Sequence, residues 1–425
     1  MSDSQRKRAK TTATASKTAT AKKAKGKTGV AKKPKTEVGK GIESSKRDIS
    51  KKESSKRDIS KKDDKKESTK SESSKKDDKK KESKSENTDL PALPKSEPAH
   101  DSFLVVAGTY ERILYGLEAR VVGSVMTLNP QFIFPAHIGC IKAVSAGGRY
   151  LASGSTDEII KLYDLKKRVE LGSLHEHSGS ITALQFHGSS HLLSASEDGV
   201  ICIFRTNDWE PLKMLRGHKG AVNGIAIHPS GKLALSVAQD RTIIIWNLLT
   251  GQRASRVKTP QIGEIVAWSP SGSHYIVAYA TEVQVYKVGQ TESLATVFSK
   301  QRILCALVAT YENAEYVLCG CQDKRIHIYS ADGVERASVE CHENRIKGLS
   351  LVDVVLDGVV HAIVVSISSD GRIKTWKLAD LLDPICKNAE QSTPGDDVMD
   401  LVAEPLATYN ADVRLTCVAS STATF

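Results

Sequence analysis

The sequence predicts an all-β fold, a seven-bladed β-propeller, and three observations carry that expectation. A β-rich run ending in an aromatic residue returns about every 41 residues between positions 103 and 420. Short alternating strands, separated by turn signals, fill each interval. The last strand-like segment, close to the C-terminus, supplies a strand that the first unit lacks.

The recurring run is clearest at 157–163 (DEIIKLY), 198–204 (DGVICIF) and 240–246 (DRTIIIW). Its frame continues at Tyr286, at 323–329 and at 370–376. Upstream, 109–115 fits with Thr109 at the Asp position, so the aromatic anchors fall at Tyr115, Tyr163, Phe204, Trp246, Tyr286, Tyr329 and Trp376. An apolar strand rich in small residues precedes each Asp, as in LASGS at 151–155 and LLSAS at 192–196. A turn such as HPSG at 228–231 comes before that, and an alternating strand before the turn. With a fourth strand after the anchor, each unit reads as one propeller blade. The first unit begins at 103–107, which fits a second strand, and RLTCVA at 414–419 is similar to the first strand RILCAL at 302–307. The C-terminal strand is therefore expected to complete blade 1 and close the ring, which removes exposed sheet edges. The hydrophilic stretch from about 380 to 402 exceeds the repeat and is expected to be a surface loop.

Arg216-Gly217-His218 opens one unit and Trp246-Asn247 closes it, with a Ser four residues before the turn Asp at 157, 198 and 240. In these features the chain resembles the WD-repeat family, whose blades are held by a His, Ser/Thr, Asp and Trp network. His218, Ser236, Asp240 and Trp246 match it; His137, Ser153 and Asp157 match with Tyr163 in place of Trp; His177, Ser194 and Asp198 match with Phe204. The units ending at Tyr286 and Tyr329 are degenerate: the first has Ala280 for Asp, and both lack the opening His. The resemblance implies that Thr156, Glu197, Gln239, Gln322 and Ser369, each just before a turn position, lie on one rim where partners dock. Unlike the scaffold positions beside them, they differ in chemistry.

A narrower resemblance rests on VAGTYE (106–111), LHEHSGS (174–180), HLLSASEDG (191–199), DWE (208–210) and LRGHKGAVNGIAIHPSGKLALSV (215–237). These are similar to the p21-activated-kinase-interacting WD-repeat proteins and their fungal ribosome-assembly relatives, over roughly residues 103–420. That likeness implies a non-enzymatic scaffold for maturation of the large ribosomal subunit (pre-60S particles and rRNA processing). Its place would be the nucleus and nucleolus, as a monomer within a large complex. Its partners would be a ribosomal or ribosomal-like protein and other assembly factors. The alternative implied is a negative regulator of p21-activated kinase, acting by binding the kinase's regulatory segment; a general substrate adaptor is a third reading.

Composition divides the 425 residues at about position 100. Residues 1–100 hold 31 Lys+Arg and 16 Asp+Glu, a net of +15, whereas 101–425 hold 30 and 34, a net of −4. No aromatic residue or cysteine precedes Phe103. The first hundred residues, with the tandem repeat ESSKRDISKK at 43–52 and 53–62, therefore read as a disordered basic tail without apolar area to offset ordering. Two clusters in it, Arg6, Lys7, Arg8 and Lys10, and Lys32, Lys33 and Lys35, resemble nuclear-import signals. Ser50 and Ser60, three residues after an Arg, fit a basophilic kinase. The tail is expected to make non-specific rRNA contact through its cations.

Other chemistry is excluded residue by residue. No apolar run reaches the roughly 18–20 residues of a membrane helix, so no membrane partner is expected. The charged N-terminus is no secretory signal. Eight cysteines in apolar segments without C-x-x-C spacing predict a reducing compartment and no zinc site. His175-Glu176-His177 is accounted for by the structural role of His177, and 224–232 lacks the spacing and Ser/Thr of a phosphate loop. The turn aspartates recur with the repeat, whereas catalysis needs unlike groups converging. No catalytic, metal or cofactor residues are expected.

Overall fold

The computed structural model describes residues 102–422 apart from 123–124, 291, 357–358 and 390–397. The 1–100 tail, with Arg6, Lys7, Arg8, Lys10, Lys32, Lys33 and Lys35, lies outside the described residues. Seven sheets, antiparallel except for one added strand, follow one another around a ring. Their innermost strands are Leu415–Ser421 in blade 1, then Ile141–Gly147, Ile181–His187, Val222–Ile227, Ile265–Trp268, Ile303–Tyr311 and Ile346–Leu356. Each of these touches the next, and the last touches the first. An open volume of about 510 Å³ lies between them, lined by Gln185, Ala226, Ser350 and Val418 among others.

The burial pattern follows from the ring. The second strands, such as Tyr150–Ser155, are buried along their whole length because neighbouring blades cover both faces. Alternate residues of one strand then serve two different cores. In blade 1, Phe103, Val105 and Ala107 pack with Val352, Ile363 and Val365 of blade 7. Leu104 and Val106, facing the other way, pack with Ile141 and Leu151 of blade 2. Outer strands are exposed: in Gln252–Lys258 only Val257 is half-buried. Polar links also join neighbours, as where Ile227 N donates to Gln185 Oε1 (2.8 Å) and Trp268 Nε1 to Ala226 O (3.0 Å).

Blade 1 is built from both ends of the folded chain. Its strands run in the order Leu415–Ser421, Ser102–Thr109, Ile113–Val122 and Val125–Pro135. Leu104 to Gly108 pair antiparallel with Ser421 to Cys417. Thr416 Oγ1 donates to Gly108 O (2.9 Å) and Ile141 O (2.6 Å). At the other end, Ser420 N donates to Ser350 Oγ of blade 7 (3.1 Å). The closing strand is thus tied to its own blade and to both neighbours.

Two sequence expectations are corrected. The first is the frame in blade 1. Val105 pairs with Leu117 as Leu151 pairs with Tyr163 in blade 2, so Leu117, not Tyr115, occupies the anchor position. Arg112 takes the positive φ (72°) that Glu158 (69°) and Arg241 (54°) take one residue after the Asp position. Glu111 therefore stands at that position, and Thr109 where Ser155 stands in blade 2. Tyr115 misled because it lies two residues earlier on the same face of the strand, in the same core as Leu117.

The second correction concerns 380–402. Instead of a loop, the chain forms helix α1 (Leu378–Ala389) and a short strand, Met399–Leu401. Leu378, Leu381, Leu382 and Ile385 repeat at helical spacing and are buried against Ala309, Leu318 and Trp376. Tyr311 Oη donates to Asp383. Met399–Leu401 then adds a parallel fifth strand to blade 6, on Glu335–Glu340. Asp400 accepts from Arg325 and from Ser338 Oγ (2.9 Å). Only afterwards does Ala407–Asn410 return as the outer strand of blade 7. Low average hydropathy hid a narrow apolar stripe.

Removing residues 415–425 strips one edge of Ser102–Thr109 and the fully buried Leu415. The expected outcome is loss of the cooperative transition in thermal unfolding, with concentration-dependent association in size-exclusion chromatography as the bared edge pairs between chains.

Candidate partner-binding rim

Four blades carry the same hydrogen-bonded chain at the same end of the sheet. In blade 4, Trp246 Nε1 donates to Ser236 Oγ (2.8 Å), which lies 2.7 Å from His218 Nε2. His218 Nδ1 sits 3.2 Å from Asp240 Oδ1, and Lys219 N donates to Asp240 Oδ2 (2.9 Å). An ionised Asp only accepts, so Nδ1 carries the proton, Nε2 accepts from the Ser hydroxyl, and the Ser oxygen accepts from the indole. Thr242 Oγ1 adds a donor to Asp240 (2.7 Å).

Blades 2 and 3 repeat the arrangement without an indole N–H, because Tyr163 and Phe204 stand there. His137 contacts Asp157 at 3.0 Å and Ser153 at 2.8 Å. His177 contacts Asp198 at 3.0 Å and Ser194 at 2.7 Å. The fourth example was missed in the sequence: in blade 7, His342 lies 3.3 Å from Asp370 and 2.8 Å from Ser366, which accepts from Trp376 Nε1 (2.9 Å). His342 precedes its Asp by 28 residues, against 20 to 22 in the other three, because Ile346–Leu356 and Val359–Ser368 form a longer hairpin. The Ser four residues before Asp370 was the available signal.

The degenerate blades substitute other chemistry. In blade 5, Tyr279 and Tyr286 both donate to Gln284 Oε1 (3.0 and 2.5 Å). In blade 6, His327 from the third strand bridges Asp323 (2.9 Å) and Glu335 (2.6 Å). Cys321, Asp323 and His327 bring donor atoms within 4.8 Å of one another. Both ring nitrogens of His327 are already engaged by carboxylates, so this cluster reads as the blade's replacement network.

These networks define one face. On it, Thr156, Glu197, Gln239, Gln322 and Ser369 each donate a backbone N–H to the segment leading into the innermost strand, to Cys140, Ser180, Ala221, Arg302 and Arg345 respectively (2.9–3.2 Å). The first four side chains are exposed and Ser369 is half-buried. Tyr110 completes the set in blade 1: its N–H donates to Arg414 O (2.9 Å), and its ring is 59% exposed under the Arg414 guanidinium. The misplaced frame concealed it.

The rim is electrostatically uneven. Glu197 pairs with Lys142 (2.7 Å) and accepts from Ser180 Oγ (2.9 Å), and the Lys142 bond holds its carboxyl below the usual range. Across the face, a depression of about 410 Å³ is lined by Gln322, Lys324, Asn344, Arg345, Ser369 and Arg414, with no carboxylate among them. Burial and the neighbouring Arg345 and Arg414 push the pKa of Lys347 down. Such a surface suits carboxylates, phosphates and peptide carbonyls.

Burial lowers the pKa of His137, His218 and His342 despite the adjoining Asp, keeping the rings neutral. Burial would raise Asp157, Asp198, Asp240 and Asp370, but their His partners and backbone N–H groups outweigh it and hold them low. In both cases the unfolded chain binds protons at a higher pH than the native one. Stability is therefore expected to be full above about pH 6.5, to fall as the histidines of the unfolded chain protonate, and to fall further below about pH 4. Urea unfolding across pH 4–8 checks this; a flat profile contradicts it. Ser366→Ala leaves the buried His342 and Trp376 without their shared partner and is expected to cost about 1–3 kcal/mol in the same assay.

The family described as WD domain, G-beta repeat matches residues 128–164, 168–205 and 209–247. Each matched segment begins in or just before one blade's outer strand and ends in the third strand of the next, so each repeat spans parts of two blades. Among curated relatives, p21-activated protein kinase-interacting protein 1 of Homo sapiens is 44% identical over 282 residues, 64% of this chain and 70% of the relative. The p21-activated protein kinase-interacting protein 1-like protein of Gallus gallus is 40% identical over 275 residues, 64% of this chain and 72% of the relative. Protein MAK11 of Saccharomyces cerevisiae is 31% identical over 329 residues, 66% and 78%. With its seven blades, its recurring networks and this similarity over more than two thirds of those relatives, the chain belongs to the p21-activated protein kinase-interacting protein 1 family of WD-repeat propellers.

Proposed function

We propose that this protein is a non-enzymatic scaffold in maturation of the large ribosomal subunit, holding a ribosomal or ribosomal-like protein on its rim within pre-60S particles in the nucleus and nucleolus. The observation that carries a binding role is the rim itself. Tyr110, Thr156, Glu197, Gln239, Gln322 and Ser369 occupy equivalent backbone positions with unlike side chains, whereas the His, Ser and Asp groups beside them are consumed in holding the blades. Repeated scaffold and varied surface suit recognition of a protein. The ribosomal assignment is supported by the resemblance of residues 215–237 to the fungal ribosome-assembly relatives and by the similarity to Protein MAK11 of Saccharomyces cerevisiae. The tail's cationic clusters support import and loose rRNA contact.

A second reading, binding of a protein kinase, is favoured by the names of the mammalian relatives, which are called kinase-interacting. The cationic depression at Arg345 and Arg414 would then receive an acidic regulatory segment.

Sucrose-gradient sedimentation of nuclear extract separates the two. The full-length protein is expected to travel with large-subunit precursors, and Arg345→Glu with Arg414→Glu is expected to lower its precursor-bound fraction about tenfold while thermal unfolding is retained. A protein that never enters precursor fractions but inhibits a p21-activated kinase in vitro overturns the assembly reading.

A further inference from the structure

We propose that the outer wall of blade 4, with the adjoining outer strand of blade 3, is an RNA-backbone-binding surface. Residues 211–260 contain eight Lys+Arg and a single acidic residue, Asp240. That is a net of +7 within a 101–425 region whose net is −4, so the rest of the region stands at −11. All eight cations are exposed.

Their placement makes a track. Pro211–Arg216, the outer strand of blade 3, carries Lys213 and Arg216; Gln252–Lys258, the outer strand of blade 4, carries Arg253, Arg256 and Lys258. The Lys213 stem packs against the Gly251 turn, with Cγ 2.9 Å from where a Cβ at Gly251 would sit, so side chains of the two blades adjoin. Between them, at one end of the wall, lies a groove of about 430 Å³ whose lining is mixed: His187, His191 and Lys213 with Leu212, Leu248 and Leu249. Arg253 and Lys258 stand at opposite ends of one strand, opposite Trp246 and Thr242. Five residues of strand cover about 17 Å, enough for several successive phosphates. Lys219 and Arg241 extend the positive field onto the rim.

These charges are not spent inside the protein. Arg256 Nη2 reaches Asp240 (3.1 Å); among the described residues the other seven form no ion pair with a carboxylate. Nor does guarding a sheet edge account for them, because the outer strands Val169–Leu174 and Ser293–Phe298 carry no Lys or Arg at all. RNA is favoured over an acidic protein because the cations are spread from end to end of the wall. The exposed large apolar side chains here, Leu212 and Leu249, are confined to one end, so a desolvated centre of the kind protein interfaces use is missing. The one Phe, Tyr or Trp in 211–260, Trp246, is buried, so binding is expected to rest on the phosphates and to be largely sequence-independent.

The inference deepens the assembly reading and rests on it only for which RNA is met in the cell. The test measures anisotropy of the full-length chain with a labelled RNA of about 20 nucleotides over about 50–300 mM KCl. Lys213→Gln, Arg216→Gln, Arg253→Gln and Lys258→Gln are combined in one variant, with Lys166→Gln, Lys167→Gln, Lys287→Gln and Lys300→Gln as a control of equal charge. The wall variant is expected to bind at least tenfold more weakly at 150 mM, its log–log salt slope shallower by about 3, with the control within about twofold of the parent. Ultraviolet cross-links are expected within 211–260. Equal losses in both variants, no loss in either, or cross-links confined to residues 1–100 overturn the proposal. So does poly-glutamate competing as strongly as RNA at matched charge. Loss of RNA binding in the wall variant of a protein that never sediments with precursors leaves this surface standing and removes the assembly reading.

Discussion

The pairing of the last strand with the first is the constraint on which the rest depends. The second strand of blade 1 divides its side chains between two neighbours, as Phe103, Val105 and Ala107 turn toward blade 7 while Leu104 and Val106 turn toward blade 2. No blade is a complete core by itself, so an open array would leave two faces wet. Bringing Leu415–Ser421 back to Ser102–Thr109 closes a loop of about 300 residues, for which chain entropy asks only about 5 kcal/mol beyond a constant. Fully burying each large residue of the 103–107 run contributes about 1.5–3 kcal/mol. Closure is therefore favourable by composition alone, provided the closing strand has the right face, and Leu415 and Thr416 give it an apolar side and a polar tie to blade 2.

Within that ring the His, Ser and Asp chains do a narrower task. They fix the loop entering each innermost strand against the turn between the second and third. A largely buried carboxylate such as Asp198 is tolerated there because both its oxygens accept, one from the imidazole and a backbone N–H and the other from a second backbone N–H. Blade 5 shows that the constraint is geometric more than chemical. With Ala280 where an Asp would stand, two tyrosines sharing Gln284 occupy the same region, and the blade keeps its four strands. Its neighbours hold its faces, so the local network is replaceable where closure is not.

What could be read in the sequence was whatever repeats. The 41-residue period exposed the blades, and identical Ser-to-Asp spacing exposed three networks. Departures from the period were hidden for physical reasons. His342 sits behind a hairpin lengthened beyond the repeat, so a fixed spacing passes over it. Leu117 does in blade 1 what an aromatic does elsewhere, and Tyr115, on the same face two residues earlier, captured the frame. Helix α1 keeps only four apolar positions on one stripe, which an average over 380–402 dilutes, and the parallel strand Met399–Leu401 is stabilised by Arg325 and Ser338, more than 60 residues away in sequence. Tertiary partners supplied what local pattern lacked.

Net charge is the average that concealed most. A region at −4 argues against contact with a polyanion when its charges are evenly mixed. Here the carboxylates and cations are segregated, with one acidic residue among the fifty of 211–260 and that one held in a structural network. A screening length of about 8 Å in physiological salt makes this segregation decisive: a ligand at the blade 4 wall responds to the cations beside it, and the acidic surface of distant blades is screened. The rim and the wall are also different surfaces, one made by turns at the end of the sheets and the other by the outermost strands. On the proposed reading, protein and RNA would not compete for one site, and the ring that closes on itself through Leu415–Ser421 would hold two components of a particle in fixed relative position. That is a function needing rigidity and distinct faces, and no reactive group.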